Sequence, residues 1–290
     1  MALLTTGHEV FGISRRPDRL PLGVHGMRAD LLDRMDAMRA MIREARAEIL
    51  IHTAWTTEHG RYWTAPDNLD WSARTLDLTR AFIDAGGRRI VTVGTCAEYD
   101  WSVLEAAPCR EDSTAVRPHT LYGVAKHATA EIVTSFCQST GADHAHARLF
   151  MLFGEGEQQG RLVPSVIRAL LAGQMTQTTS GRQTRDFMDA RDAGSALASL
   201  ALSGVGGPVN VATGRGVAVR DVVETLGSIL GRADLVAFGA LPDRPDDPPF
   251  LVAAVERLTH EVGFRPRIDL NRGLHDAIAF WRTQSGFNGR

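Results

Sequence analysis

The sequence predicts an α/β fold, a doubly wound parallel sheet that carries a smaller C-terminal lid. Three observations predict it. Short apolar stretches alternate with helical patterns from residue 8 to residue 150, which is the rhythm of βαβ units. Short motifs follow the stretches EILIH, RIVTVG and HARLF. An open parallel sheet binds its ligands there, outside the carboxyl ends of its strands. After Gly154 the rhythm breaks into shorter pieces, which read as a lid woven back into the sheet at least once.

The elements follow in order. Residues 1–6 are the tail of a helix with Gly7 as its C-cap. Residues 8–14 form a short strand that Pro17, after Arg15 and Arg16, brings to a stop. Residues 25–30 form a second strand closing at Asp30-Leu31. The 33–47 stretch is helical, because Met35, Met38, Ile42 and Ala45 recur at helical spacing. Strands are expected at 48–52, 89–94 and 145–150, and helices at 68–85 and 122–140. Gly86-Gly87 closes the first of these helices. In the second half, helices are expected at 162–172, 190–202, 219–230 and 271–283, with short strands at 184–188 and 208–212. The last helix is amphipathic, with Leu274, Ile278 and Trp281 on one face. The proline-rich run from Asp243 to Pro249 is a rigid polar turn.

Length and composition bound the function. A chain of 290 residues holds one large α/β domain with an appendage, or two domains. A formal net charge of −2 argues against nucleic acid or an anionic membrane as partner. No apolar run is long enough to span a membrane, and no signal peptide precedes the first strand. Three scattered cysteines, Cys96, Cys109 and Cys137, suggest a reducing compartment, so the expected location is the cytoplasm. No histidine spacing suits a metal. His144 and His146 share one strand face and are expected to be exposed.

The chemistry gathers at Tyr122 and Lys126. Four residues along a helix put both side chains on one face, one turn apart. An ammonium beside a phenol stabilises the phenolate and makes the tyrosine an acid or base near neutral pH. Lys126 is the only lysine among 32 cationic residues. Arginine cannot replace a compact, three-donor ammonium under a phenol.

These motifs together resemble the extended short-chain dehydrogenase/reductase family of nucleotide-sugar epimerases, dehydratases and 4-ketoreductases. The marks are Tyr122-x-x-x-Lys126, Thr95 four residues before Tyr99, and His52-Thr53-Ala54-Trp55 after a strand. Asn68 opening a helix, Arg185-Asp186-Phe187 and Arg244-Pro245-Asp246-Asp247 complete the set. The resemblance implies a Rossmann-like cofactor domain over residues 1–153 and 184–212, and a substrate domain over 154–183 and 213–290. It implies that Tyr122 exchanges a proton with the sugar, that Thr95 holds the same oxygen, and that Lys126 lowers the tyrosine pKa and binds the nicotinamide ribose. Ser14, Arg15, Arg16, Asp30, Leu31, Thr53, Ala54, Trp55, Asn68 and Phe150 would bind cofactor. Met151, Arg161, Arg185 and Arg244 would bind substrate, the arginines of the last two motifs gripping its diphosphate. Plainer roles stand beside these: Thr95 as a strand-end cap, Asp30 as a turn residue, Arg185 and Arg244 as ion pairs.

Three departures qualify the resemblance. The family's first strand and its Gly-x-x-Gly-x-x-Gly turn have no counterpart ahead of residue 8, which leaves an expected gap in the sheet and no pyrophosphate cradle. Cys96-Ala97 stands where 4,6-dehydratases carry an acid and a base, which sets dehydration aside. Met151 stands where an asparagine often binds substrate. The expected function is an NAD(P)-dependent oxidoreductase acting at C4 of a nucleotide-diphosphate sugar, foremost as a 4-ketosugar reductase, with 4-epimerase as the alternative. A non-catalytic binding or regulatory relative is the other class. With Ser14-Arg15-Arg16 and no acid at the second-strand position, NADP is the expected cofactor, NAD remaining possible. The resemblance also implies a homodimer.

Overall fold

A computed structural model describes residues 1–33, 35–104 and 106–284. The cofactor half comprises α1 (Ala2–Thr5), β1 (Val10–Ser14), β2 (Val24–Arg28), α2 (Met35–Ala45), β3 (Ile49–His52), α3 (Asp67–Asp84), β4 (Arg89–Thr95), α4 (Leu121–Thr140) and β5 (Asp143–Leu149). Then come β6 (Met151–Phe153), α5 (Leu162–Leu171), β7 (Thr176–Gln177), β8 (Thr184–Asp189), α6 (Ala190–Leu202), β9 (Gly207–Val211) and β10 (Gly216–Ala218). The chain closes with α7 (Val219–Leu230), β11 (Val236–Ala237), β12 (Phe250–Leu251) and α8 (Leu270–Gln284). The helix expected at 33–47 spans residue 34, which lies outside the described residues.

The parallel sheet is in two pieces. The strands β3, β4, β5 and β9 form one four-stranded sheet in the order β3-β4-β5-β9. The pair β1-β2 forms the other, also parallel, with Val10 opposite Val24. Among the described residues no ladder joins β1 to β3.

The β4 sequence reads RIVTVGT without polar alternation because both faces of the sheet are covered. Successive side chains point to opposite faces. Ile90 accordingly packs with Met38 and Ile42 of α2, Phe82 of α3 and Val133 of α4. Val91 packs with Ala193, Ala196 and Leu200 of α6 on the other side. Arg89 ties the layers together. Its guanidinium is buried and donates to the carbonyls of Leu200, Ala201 and Val205, so it caps the carboxyl end of α6.

The second half is built around β8, which pairs with β6, β10 and β12. The expected division placed 184–212 in the cofactor sheet. Of that span β9 does join β5 in parallel, whereas β8 belongs to this second sheet. Helices α5, α7 and α8 cover it through Ile167, Leu170, Val223, Leu226, Leu274 and Ile278. Trp281 is buried with them, as the amphipathic pattern of α8 predicts.

The sequence missed β6, β7, β10, β11 and β12. None exceeds three residues, too short for a period of two to register. His144 and His146 correct another expectation. They are 7% and 4% exposed, not surface residues, because β5 lies inside the sheet between β4 and β9. Thr92 satisfies both rings, 2.8 Å from His144 Nε2 and 2.8 Å from His146 Nδ1.

Candidate active site

The site lies at the carboxyl end of β4, where the chain turns sharply. Thr95 opens the turn: its hydroxyl accepts from the Ala97 amide at 3.2 Å, and its own amide donates to Glu98 at 2.9 Å. This is a capping box, and its Thr-x-x-Glu spacing was present in the sequence unread. Thr95 therefore is the strand-end cap of the plainer reading. That role leaves its hydroxyl proton free for another acceptor.

Helix α4 begins over this turn. The Thr120 hydroxyl caps it by accepting from the Gly123 amide at 3.1 Å. The Tyr122 amide, one of the donors a helix start leaves without an intrahelical partner, bonds the Trp63 carbonyl at 3.1 Å. Gly123 is what allows the approach: a Cβ there would sit 2.5 Å from the Ala97 carbonyl oxygen. One turn on, Lys126 is 6% exposed. Its ammonium donates to the Val93 carbonyl at 2.7 Å and lies 3.9 Å from the centroid of the Trp55 ring. The Tyr122 ring centroid is 6.0 Å away.

The electrostatics differ from the sequence expectation. Burial holds the Tyr122 phenol well above its usual range, the neighbouring Tyr62 adds to this, and the Thr95 hydroxyl pulls it partly back. Burial decides the direction at the phenol, and the Lys126 ammonium is engaged by a carbonyl and an indole face. Its own pKa is brought down to about 7 by burial, against the opposing pull of Glu98. Tyr122 is thus held as a neutral phenol and Lys126 titrates near neutrality.

An aromatic wall that the sequence reading overlooked surrounds the phenol. Tyr62 meets Tyr122 edge-on at 4.9 Å between centroids, and Trp63 meets it at 5.9 Å. Trp101 continues the wall from Trp63. Asn68 anchors it, fully buried at the start of α3. Its amide nitrogen donates to the carbonyls of Tyr62 and Ala65, and its oxygen accepts from the Trp55 indole at 2.7 Å. One side chain thereby fixes both the loop against Tyr122 and the ring against Lys126.

The other predicted residues lie in several separate places. Ser14, Arg15, Asp30 and Leu31 gather at the ends of β1 and β2, where Arg15 approaches Asp30 at 4.0 Å and the Ser14 hydroxyl accepts from the Arg16 amide. Asp30 also serves as a turn residue, accepting from the Leu32 amide. Thr53 and Ala54 precede Trp55 just beyond β3. Phe150 is 5% exposed and packed with Cys96 and Tyr99 in the core, so its side chain does not line an open site. Met151 is half-buried at the start of β6. Arg161 stacks its guanidinium 5.7 Å from the Tyr62 ring centroid. Arg185 is buried and paired with Asp247, while Arg244, three residues earlier on that turn, is exposed.

The comparisons agree with this architecture. The model of the NAD dependent epimerase/dehydratase family matches residues 1–212. The chain belongs to that family. It is 29% identical over 279 residues to a UDP-glucose 4-epimerase of Azospirillum brasilense, a match covering 87% of this chain and 76% of the relative. A UDP-glucose 4-epimerase of Thermotoga maritima, solved with UDP-glucose, superposes with a TM-score of 0.86 at 18% identity, covering 98% of this chain and 94% of that one. A UDP-glucose 4-epimerase of Thermus thermophilus, solved with NAD, superposes with a TM-score of 0.83 at 22% identity, covering 97% and 93%.

Proposed function

We propose that the chain is a nucleotide-sugar 4-epimerase, interconverting a UDP-hexose with its C4 epimer. The observation that carries the reading is the placement of Tyr122 against Thr95 at the end of β4, with Lys126 one turn along α4. A nicotinamide, when bound, takes and returns the hydride at C4. The residues of this chain handle the oxygen at that carbon. The Thr95 hydroxyl holds it, and Tyr122 takes its proton in one half-reaction and gives it back in the other. Lys126, Ser14, Arg15 and Asp30 fit the two riboses of a dinucleotide: a buried ammonium with donors to spare at one end, and at the other the half-buried Ser14 and Asp30 with exposed Arg15 at two strand ends. Arg185 and Arg244 would take the substrate diphosphate, Arg185 exchanging Asp247 for it, with Arg161 and Met151 nearer the sugar.

Incubation with UDP-glucose and catalytic NAD tests this: UDP-galactose should accumulate to an equilibrium mixture with no net change in cofactor. A second reading, 4-ketosugar reductase, is favoured by one observation, the neutral Tyr122 phenol, which is poised to donate. Stoichiometric oxidation of reduced cofactor by a nucleotide-linked 4-ketosugar, without epimerisation, would select it. For that enzyme we propose NADPH as the preferred cofactor, since exposed Arg15 and Arg16 suit a 2′-phosphate. Titration of both cofactors checks this: NADPH should bind more tightly, and Arg15→Ala with Arg16→Ala should abolish the difference. We propose a cytoplasmic homodimer as the working form.

A further inference from the structure

We infer that Glu98 is a positioning residue for this site: a buried anion, fixed behind the turn, that holds Thr95 in place and supports the ammonium of Lys126. The inference rests on the proposed use of Thr95 and Lys126.

Glu98 is 0% exposed and makes contacts from three elements. From β4 the Thr95 amide donates to Oε1 at 2.9 Å. From β5 His146 Nε2 lies 2.9 Å from Oε1, and Arg148 Nε donates to Oε2 at 3.0 Å. From α4 His127 Nδ1 stands 3.9 Å from Oε2; Lys126 is the residue before it, and the Glu98 charge raises the Lys126 pKa against the effect of burial. Burial alone would raise the Glu98 pKa, but His146, Arg148 and the Thr95 amide outweigh it and bring the carboxyl down to about 2. The group is therefore anionic at any working pH and is not a proton donor. On the far side of Lys126, His52 of β3 is held neutral, with a pKa of about 3 set by burial and by Lys126 itself. Among the described residues Glu98 is thus the acid that acts on the Lys126 titration, and His52 adds no positive charge to oppose it.

Gly94 shows that the chain makes room for this anion. A Cβ at Gly94 would lie 2.3 Å from Glu98 Oε1 and 2.2 Å from His146 Nε2, so the carboxylate–imidazole pair fills the space a side chain would need. Gly94 follows Val93, whose carbonyl receives the Lys126 ammonium. One strand end therefore holds the lysine through Val93, the carboxylate through the space at Gly94 and the hydroxyl through Thr95. An acid whose role was confined to bonding strands β4 and β5 would need neither the Thr95 amide nor a place beside the lysine.

The lone lysine makes a direct test possible. Protein labelled with 13C at the lysine ε carbon gives a single side-chain signal, and its shift against pH reports the Lys126 titration without any turnover. The wild-type midpoint should lie near 7. Glu98→Gln should lower it by about one pH unit or more, because an opposite charge close by is removed. The double variant Glu98→Gln/Arg148→Gln removes the buried ion pair as a unit and leaves no unpaired charge, so it serves if the single variant folds poorly. It should show the same downward shift, and the alkaline limb of the kcat profile should move with it. A native-like double variant with an unchanged Lys126 midpoint would overturn the inference. Loss of turnover on every nucleotide sugar with the midpoint shifted as expected would instead count against the proposed function and leave the role of Glu98 standing.

Discussion

At the scale of single residues, Lys126 departs furthest from its expected part. Its ammonium is held by a carbonyl and an aromatic face instead of lying against the phenol oxygen. A guanidinium is wider and planar and cannot keep both contacts in a space only 6% exposed. Lys126→Arg should therefore cut kcat by ~10²-fold, the scale of a small misplacement at the reacting groups, and lower the melting temperature through overpacking. Steady-state kinetics beside thermal melts check it; near-normal kcat would show that the contacts at Lys126 do not matter to turnover. The tyrosine–lysine spacing was legible because helical geometry fixes it. The direction of the Tyr122 shift was not, since burial by Tyr62 and Trp63 comes from a loop some sixty residues earlier in sequence.

At the scale of elements, the site depends on how closely α4 approaches the turn after β4. Gly123 sets that distance. Gly123→Ala should favour the helix intrinsically by up to ~1 kcal/mol, yet its methyl group must push the Ala97 carbonyl away. We expect turnover to fall at least about tenfold, since small misplacements of reacting groups are costly, while circular dichroism stays native. Unchanged kinetics would mean that the turn adapts freely. Asn68 is the matching test on α3. Asn68→Ala strands the Trp55 indole and two carbonyls and should cost about 2–4 kcal/mol in denaturant unfolding. Longer elements were readable from periodicity: α8 buries the stripe of Leu274, Ile278 and Trp281 that its sequence announces. The capping box at Thr95 and Glu98 is equally legible in its Thr-x-x-Glu spacing, although the turn it caps is only three residues long and carries no periodicity. The burial of His144 and His146 was not readable, because two polar rings on a strand suggest a wet face unless Thr92 and Glu98 are known to meet them.

At the scale of the whole molecule, the buried titratable groups shape stability against pH. His52 and His144 are lowered by burial to about 3 from 6.5, while Glu98, against the opposing effect of burial, is brought to about 2 from 4.5 by His146, Arg148 and the Thr95 amide. In each case the unfolded chain binds more protons between the two values, so stability falls as pH drops from about 6.5 toward 2. Lys126, lowered by burial to about 7 from 10.5, has the same sign, so its contribution rises between those values. Cys96 and Cys109, pushed up by burial to about 12 from 9.0, oppose it above 9. Chemical unfolding across pH should therefore show a maximum between about 7 and 9 with a steep acid side. Glu111, Glu157 and Asp186, raised by burial, oppose the histidines above about 4.5, so stability that stays flat from about 4.5 to about 3 is the result that would contradict the burial of the two histidines. The same molecule is a parallel sheet in two pieces, β1-β2 and β3-β4-β5-β9, and the proposed site residues draw on both.

The central claim, that Tyr122 exchanges the proton at the sugar oxygen, is tested most directly by Tyr122→Phe. The variant keeps the ring that Tyr62 and Trp63 pack against and removes only the hydroxyl. Turnover of UDP-glucose should fall by ~10²-fold or more while UDP-glucose binding, read by titration calorimetry, stays within a few-fold of wild type. Turnover retained in the phenylalanine variant, with binding intact, would contradict the account.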